Sequence, residues 1–133
     1  MDTHLNDGKS RNGVELLTCQ ATRKNFENGL YQILGLRKKL LNELNIKSSL
    51  IPVDILLTIN EHFIKTQIGI SMKHLLATLE HSPTGVRYYL NDLIDDGWID
   101  IADSQKDKRT KLMQPSRKSV IFFTSQMHLE GSE

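Results

Sequence analysis

The stretch that decides the fold runs from residue 70 to residue 119 and reads ISMKHLLATLEHSPTGVRYYLNDLIDDGWIDIADSQKDKRTKLMQPSRKS. Its pattern predicts a helix capped by Ser71, a tight turn at Glu80 and His81, and a second helix that ends at Gly97. Two short alternating strands follow, joined by a polar tip that is rich in lysine and arginine. The order of these parts predicts a helix-turn-helix followed by a β-hairpin.

The second helix of this stretch carries the residue types that a helix needs to read DNA. Ser82 and Pro83 suit the cap and the first helical position, and Val86 and Leu90 point inward. The opposite face is polar and could reach base edges in a major groove, and Gly85 is expected to leave room for close backbone approach. The candidate DNA-contacting residues of this helix are Ser82, Pro83, Thr84, Gly85, Arg87, Tyr88 and Asn91.

Charge is segregated along the hairpin, although the net charge of the whole chain is only +1. Residues 92–103 hold five acids and no Lys or Arg, whereas residues 106–118 hold six bases and one acid. Arg109 suits the negative potential of a minor groove, and Asp107 is expected to hold its guanidinium in a bidentate pair. Taken alone, such a charge run also fits a solvated hairpin without a partner. The candidate DNA-contacting residues of the hairpin are Lys106, Asp107, Lys108, Arg109 and Lys111.

The N-terminal part predicts one long helix over residues 14–45, with an interrupted helix as the alternative, and Gly29 and Gly35 are its weak points. Its apolar residues form a stripe with spacings of four and three, which suits packing against another helix. We expect this stripe to contact a second copy of the chain, and an ordinary core helix is the alternative. The candidate dimerisation residues are Phe26, Leu30, Ile33, Arg37, Leu40 and Leu44.

A further helix is predicted to begin at Pro52, and a last one is predicted to follow a capping serine at Ser116. The helix after Pro52 is expected to be buried on most of its circumference because apolar residues occur on both sides of it. One side carries Val53, Leu56, Leu57, Phe63 and Ile64, and the other carries Ile55 and Ile59.

The composition excludes several classes of protein. The chain has 133 residues, of which 25% are charged and 38% hydrophobic, which is typical of one globular domain. No apolar run is long enough for a membrane span, and the single cysteine, Cys19, excludes an intrachain disulfide. The five histidines lack metal-ligand spacing, and no catalytic motif is present. We therefore expect a cytoplasmic protein with no enzyme activity, no cofactor, no metal and no membrane partner.

The segment resembles the winged helix-turn-helix of the MarR family of bacterial transcription regulators. The hairpin sequence DKRTKLM at residues 107–113 is similar to the wing of that family and includes its Asp-x-Arg signature. The sequence LIDDGWI at residues 93–99 is similar to the exit from the recognition helix into the first wing strand. The sequence PSRKS at residues 115–119 stands where the family usually has Leu-Thr-Glu-Lys-Gly. The similarity covers roughly residues 52–120.

The resemblance implies a homodimer that binds a palindromic operator. It implies that Arg109 enters the minor groove with Asp107 as its orienting partner, and that Thr84, Arg87 and Tyr88 face the major groove. Members of the family usually follow the wing with a long helix and a further short one, whereas here only a short segment follows Ser116. The dimer contact is therefore expected to depend on the first helix, a small-ligand pocket is in doubt, and a protein partner is an alternative source of regulation.

These expectations combine into one hypothesis. The fold class is mostly α with a small β-hairpin wing (α+β), a winged helix-turn-helix with a long N-terminal helix. We expect a mobile tail over residues 1–13, a helical dimerisation segment over 14–49, a DNA-binding domain over 50–116 and a short C-terminal helix and tail over 117–133. The predicted function is sequence-specific regulation of transcription on double-stranded DNA. The alternative is a winged-helix module that binds proteins and has no specific affinity for DNA.

Overall fold

The computed structural model describes the backbone of residues 12–44 and 50–131, and the side chains of residues 12–38 and 50–125. Within these residues, six helices surround a small antiparallel sheet, which confirms the predicted fold class. The helices are α1 (Gly13–Leu16), α2 (Gln20–Leu44), α3 (Ile51–Thr66), α4 (Met72–Thr78), α5 (Pro83–Asp95) and α6 (Arg117–Gly131). The strands are β1 (Ile70–Ser71), β2 (Ile99–Asp103) and β3 (Lys111–Pro115).

The N-terminal region is two helices, so the helix predicted from residue 14 is interrupted, as the alternative allowed. Asn12 starts α1 with a capping box, because its side chain accepts from the Glu15 amide at 2.8 Å while its own amide donates to the Glu15 carboxylate at 3.1 Å. The chain then turns at residues 17–19, where Leu17 is buried, before α2 begins. Of the mobile tail predicted over residues 1–13, residues 1–11 lie outside the described residues.

The helix α3 separates two hydrophobic clusters, which confirms that it is buried on most of its circumference. Leu57 and Phe63 belong to the first cluster, together with residues of α1, α2 and α6. Ile55 and Ile59 belong to the second cluster, which lies beneath the helix-turn-helix and the sheet. Val53 is exposed, so its predicted place on the buried face was wrong. Because both clusters share α3, the helical layer formed by α1, α2 and α6 packs on one side of this helix, and the helix-turn-helix and sheet pack on the other.

The helix-turn-helix and the hairpin have the predicted local signals. The hydroxyl of Ser71 accepts from the His74 amide and caps α4. Gly97 has a φ of +85°, the left-handed conformation that glycine adopts most readily. The sheet order is β1-β3-β2, and Ile99 pairs with Pro115 while Ile101 pairs with Met113. Ile99 is buried but Ile101 is exposed, because β2 extends beyond the core toward the wing tip.

The last helix, α6, packs along α2 and closes the helical layer. The Ser116 hydroxyl accepts from the Ser119 amide at 3.1 Å, as the predicted cap requires. The rings of Phe26 on α2 and Phe123 on α6 meet edge to face at 5.8 Å between centroids. A buried hydrogen bond of 3.0 Å from the Ser119 hydroxyl to the Asn60 side chain fixes α6 against α3.

Candidate nucleic-acid interface

The outer face of α5 presents polar side chains to solvent along most of its length. Val86 and Leu90 are buried on the opposite face, so packing fixes which side of the helix faces outward. Tyr88 has 63% of its surface exposed, and its ring lies edge to face against that of Tyr89 at 5.1 Å. Every other predicted contact on this helix except Gly85 is also exposed, namely Ser82, Pro83, Thr84, Arg87 and Asn91.

Gly85 takes part in the helix cap, and its close approach to DNA stays a prediction. A Cβ atom on Gly85 would lie 3.1 Å from the Ser82 hydroxyl and 3.6 Å from Ile51. The glycine therefore faces its own cap, and its amide donates to that hydroxyl at 3.1 Å. Ser82 has the same role, because its hydroxyl is the capping acceptor.

The wing tip is held by hydrogen bonds among its own residues. The Asp107 carboxylate accepts from the Arg109 amide at 3.0 Å and from the Thr110 hydroxyl at 3.2 Å. Its contact with the Arg109 guanidinium is an ion pair of 3.6 Å, so the expected bidentate pair is wrong. Asp107 orients the backbone of the turn, and the Arg109 side chain remains 94% exposed.

The lysines of the wing differ in their partners. Lys106 and Lys108 are exposed at the tip, and the Lys106 amide donates to the Ser104 hydroxyl. Lys111 forms an ion pair with Asp103 across the hairpin, where the two residues are directly paired in the register. The positive charge of the wing is therefore concentrated at its tip, while part of the charge at its base is offset.

Lys118 supports the C-terminal end of α5, and this role was not predicted. Its ammonium donates to the Asp96 carbonyl at 2.9 Å and lies 4.5 Å from the centre of the Trp98 ring. A cation near the last carbonyls of a helix is favourable because those groups carry partial negative charge. The sequence signal was weak, since Lys118 lies 22 residues beyond the carbonyl it binds.

The predicted dimerisation seam is partly used inside this chain. Phe26 and Leu30 are fully buried in the first cluster, and Ile33 packs against that cluster. Arg37 binds Asp54 of α3 through its guanidinium. The side chains of Leu40 and Leu44 lie outside the described residues. Contact of this seam with a second copy stays a prediction.

Several further features bear on function. Cys19 is exposed in the connection between α1 and α2, and not within the first helix. The Arg23 guanidinium binds Gln67 and the Ile64 carbonyl, which secures the left-handed end of α3. Among the described side chains, those of residues 12–38 and 50–125, no group of His, Cys, Asp and Glu is placed to hold a metal ion.

The helices in the described part of the chain are all too short or too polar to cross a membrane.

Comparison with solved structures supports the fold. A mutant of S. aureus MepR is 14% identical, with 77% of this chain and 75% of that chain covered and a TM-score of 0.52. The Multiple Antibiotic Resistance Repressor, MarR, is 18% identical over 77% of this chain and 73% of that chain, with a TM-score of 0.49. A complex of S. aureus MepR with DNA is 18% identical over 76% and 80% of the two chains, with a TM-score of 0.48. No curated protein sequence matches this chain.

The capped helix-turn-helix, the three-stranded sheet and the basic hairpin define a winged helix-turn-helix protein. A family model described as MarR family matches residues 54–110, which include most of α3, the helix-turn-helix and the tip of the wing. The winged-helix segment of this chain is therefore similar to the MarR family. Proteins of this family are transcriptional regulators and not enzymes, which supports DNA-binding regulation of transcription as the role of this segment.

Proposed function

We propose that the chain regulates transcription in the cytoplasm as a homodimer that binds a palindromic operator through α5 and the wing. The observation that carries the proposal is the outer face of α5, where Arg87 and Asn91 are exposed opposite a buried apolar face. Arginine can pair bidentately with guanine, and asparagine can do so with adenine. The similarity of the same segment to the MarR family supports this assignment.

The wing supplies a second contact, with the backbone and the minor groove. Arg109 projects into solvent from a turn that Asp107 orders, so the arginine backbone loses little freedom when it meets DNA. Lys106 and Lys108 add positive charge beside it, and binding at phosphates would release counterions. The wing therefore contributes affinity that varies little with sequence, whereas α5 contributes preference for particular bases.

Dimerisation is supported by apolar side chains left exposed on the helical layer. Tyr31 and Leu36 on α2 are 44% and 53% exposed, and Ile121 and Phe122 on α6 are 50% and 37% exposed. A second copy of the chain would cover these residues together with the predicted dimerisation stripe near Ile33. In this arrangement residues 50–116 bind DNA, while 14–49 and 117–133 join the two copies and place the recognition helices about 34 Å apart.

Titration with a mixed-sequence duplex at two salt concentrations tests DNA binding. Binding of wild-type protein should weaken steeply with salt, by about 0.9 in the logarithmic slope for each phosphate neutralised. Reversing the charge of Lys106, Lys108 and Arg109 together should abolish most of this affinity. Lys24→Glu, on the exposed side of α2, is the matched control and should bind as wild type does.

The same titration separates the alternative of a protein-binding module. Such a module predicts no salt-dependent affinity for duplex and no effect of charge reversal at the wing tip. If wild-type protein behaves in that way, the proposed function is wrong and a protein partner becomes the better hypothesis. Sedimentation of the protein alone tests the dimer, and a monomer at micromolar concentration would contradict that part of the proposal.

A further inference from the structure

Three polar side chains from distant parts of the sequence meet beneath the start of α5. Asp54 in the first turn of α3 accepts from the Arg37 guanidinium through both of its carboxylate oxygens, with the Nη2–Oδ2 bond at 2.9 Å. His81, in the turn just before the capping residue Ser82, contacts the same carboxylate through Nε2 at 2.7 Å. The cluster thus joins the long helix, the central helix and the entry to the recognition helix.

Burial and hydrogen bonding make these contacts strong. The Asp54 side chain is only 5% exposed, and that of His81 only 12%. Burial alone would raise the pKa of Asp54, but the hydrogen bonds from Arg37 and His81 outweigh burial and leave that pKa below its ordinary value. The Asp54 hydrogen bond likewise raises the pKa of Arg37. Asp54 is therefore ionised at neutral pH, and its bonds are charge-assisted.

Packing by itself does not fix the turn that contains His81. A cavity of about 370 Å³ lies beside the cluster, between α2, α3 and the end of α4, and Leu34, Leu57 and Leu79 contribute to its wall. In a filled core, neighbouring side chains would hold the turn after loss of a hydrogen bond. Here the imidazole lines the cavity, and its bond to Asp54 is the polar contact that links the turn to α3.

We propose that His81 and Asp54 are positioning residues that set the orientation of the recognition helix relative to the helical layer. Arg37 connects α2 to Asp54. The charged residue in the apolar seam of α2 therefore binds a partner within its own chain. This inference rests on the proposed DNA-binding function and deepens it. His81 touches no base in this account, and it acts on recognition through the turn that carries Ser82.

Two substitutions at His81 test the proposal. In His81→Gln, the amide nitrogen can replace Nε2 as donor because it lies the same number of bonds from Cβ, whereas His81→Ala removes the donor. Affinities are measured for a duplex selected from a random pool by wild-type protein and for a mixed-sequence duplex. His81→Ala should lose about tenfold on the selected duplex, the size expected for one charge-assisted bond, and much less on the mixed one. His81→Gln should restore the selected-duplex affinity.

The controls make each outcome decisive. His74→Ala, an exposed histidine on α4, should leave both affinities unchanged. Thermal unfolding checks that each variant is folded. If His81→Ala does not fold, the test uses His81→Gln alone. Equal losses on both duplexes, no loss, or no rescue by glutamine would overturn the positioning role. Wild-type protein that binds neither duplex would instead overturn the proposed function, and this inference with it.

Discussion

The recognition helix and the wing tip, the two parts expected to touch DNA, are held in place in opposite ways. At its start, α5 is tied to Asp54 through His81, 27 residues away, and at its end to Lys118, 22 residues beyond Asp96. The wing tip is ordered by Ser104 and Asp107, whose side chains bond to groups two or three residues away. The position of α5 therefore depends on the whole fold, whereas the shape of the wing tip depends on a few neighbouring residues.

This difference has a consequence for DNA recognition. Substitutions far from the DNA surface can change sequence preference, because they can tilt α5. The wing should be sensitive only to changes in its own turn, and its loss should reduce affinity for every sequence alike.

Leu90→Ala should destabilise the protein by about 2–5 kcal/mol, because the side chain is 2% exposed and its removal leaves a cavity beneath α5. Denaturant unfolding monitored by circular dichroism measures the change. Asn91→Ala, the exposed neighbour, is the control and should lie within about 0.5 kcal/mol of wild type. Equal effects of the two substitutions would mean that α5 does not depend on the second cluster.

Arg87→Ala should change which sequences are preferred, at a cost of about 1–3 kcal/mol at the base that Arg87 reads. Competition between the selected duplex and single-base variants of it measures this discrimination. Affinity for the mixed-sequence duplex should fall far less. A uniform loss over all duplexes would place Arg87 on the phosphate backbone and contradict its role in base readout.

Arg109→Ala should weaken binding to most sequences to a similar extent and reduce the logarithmic salt slope by about 1 if its charge replaces one counterion. Because the side chain is 94% exposed, the free energy of unfolding should stay within about 0.5 kcal/mol of wild type. A loss confined to the selected duplex would show that the wing also reads sequence, and would remove the contrast with α5.

Mildly acidic pH should destabilise the packing of α3 against the helix-turn-helix more than it destabilises the wing. Burial and the adjacent His74 lower the pKa of His62 below its ordinary value of 6.5. The unfolded chain therefore binds more protons, and the stability contributed by neutral His62 is lost as pH falls below about 6.5. His62→Gln should reduce the dependence of the free energy of unfolding on pH between pH 7 and 5. An unchanged dependence of stability on pH would show that His62 is not the group responsible. The wing, residues 99–115, carries no histidine that could respond to mild acid.

Local signals in the sequence were enough to predict the winged helix. Caps at Ser71, Ser82 and Ser116, the turn at Gly97 and the alternation of the strands each depend on residues close together in the chain. The family resemblance was carried by the same segment and is confirmed by the match over residues 54–110. The exposed face of α5 also followed directly from helical periodicity.

The contacts that position the site could not be predicted, because they join residues that are distant in sequence. Arg37 was recognised only as a charged residue in an apolar seam, and its partner Asp54 is the one charged residue in the first ten residues of α3. Two charges in apolar surroundings were the available signal, but periodicity does not indicate which charges pair. The position of the break between α1 and α2 was not predicted, because the capping box of Asn12 and Glu15 marks where α1 begins and not where it ends.

Selection of bound duplexes from a random pool by wild-type protein tests the central claim most directly. A recognition helix held rigidly by the fold, and repeated by a symmetric dimer, should enrich an inverted repeat whose half-sites lie about 34 Å, or one helical turn, apart. Recovery of the input distribution without enrichment would contradict the claim that this chain reads DNA sequence.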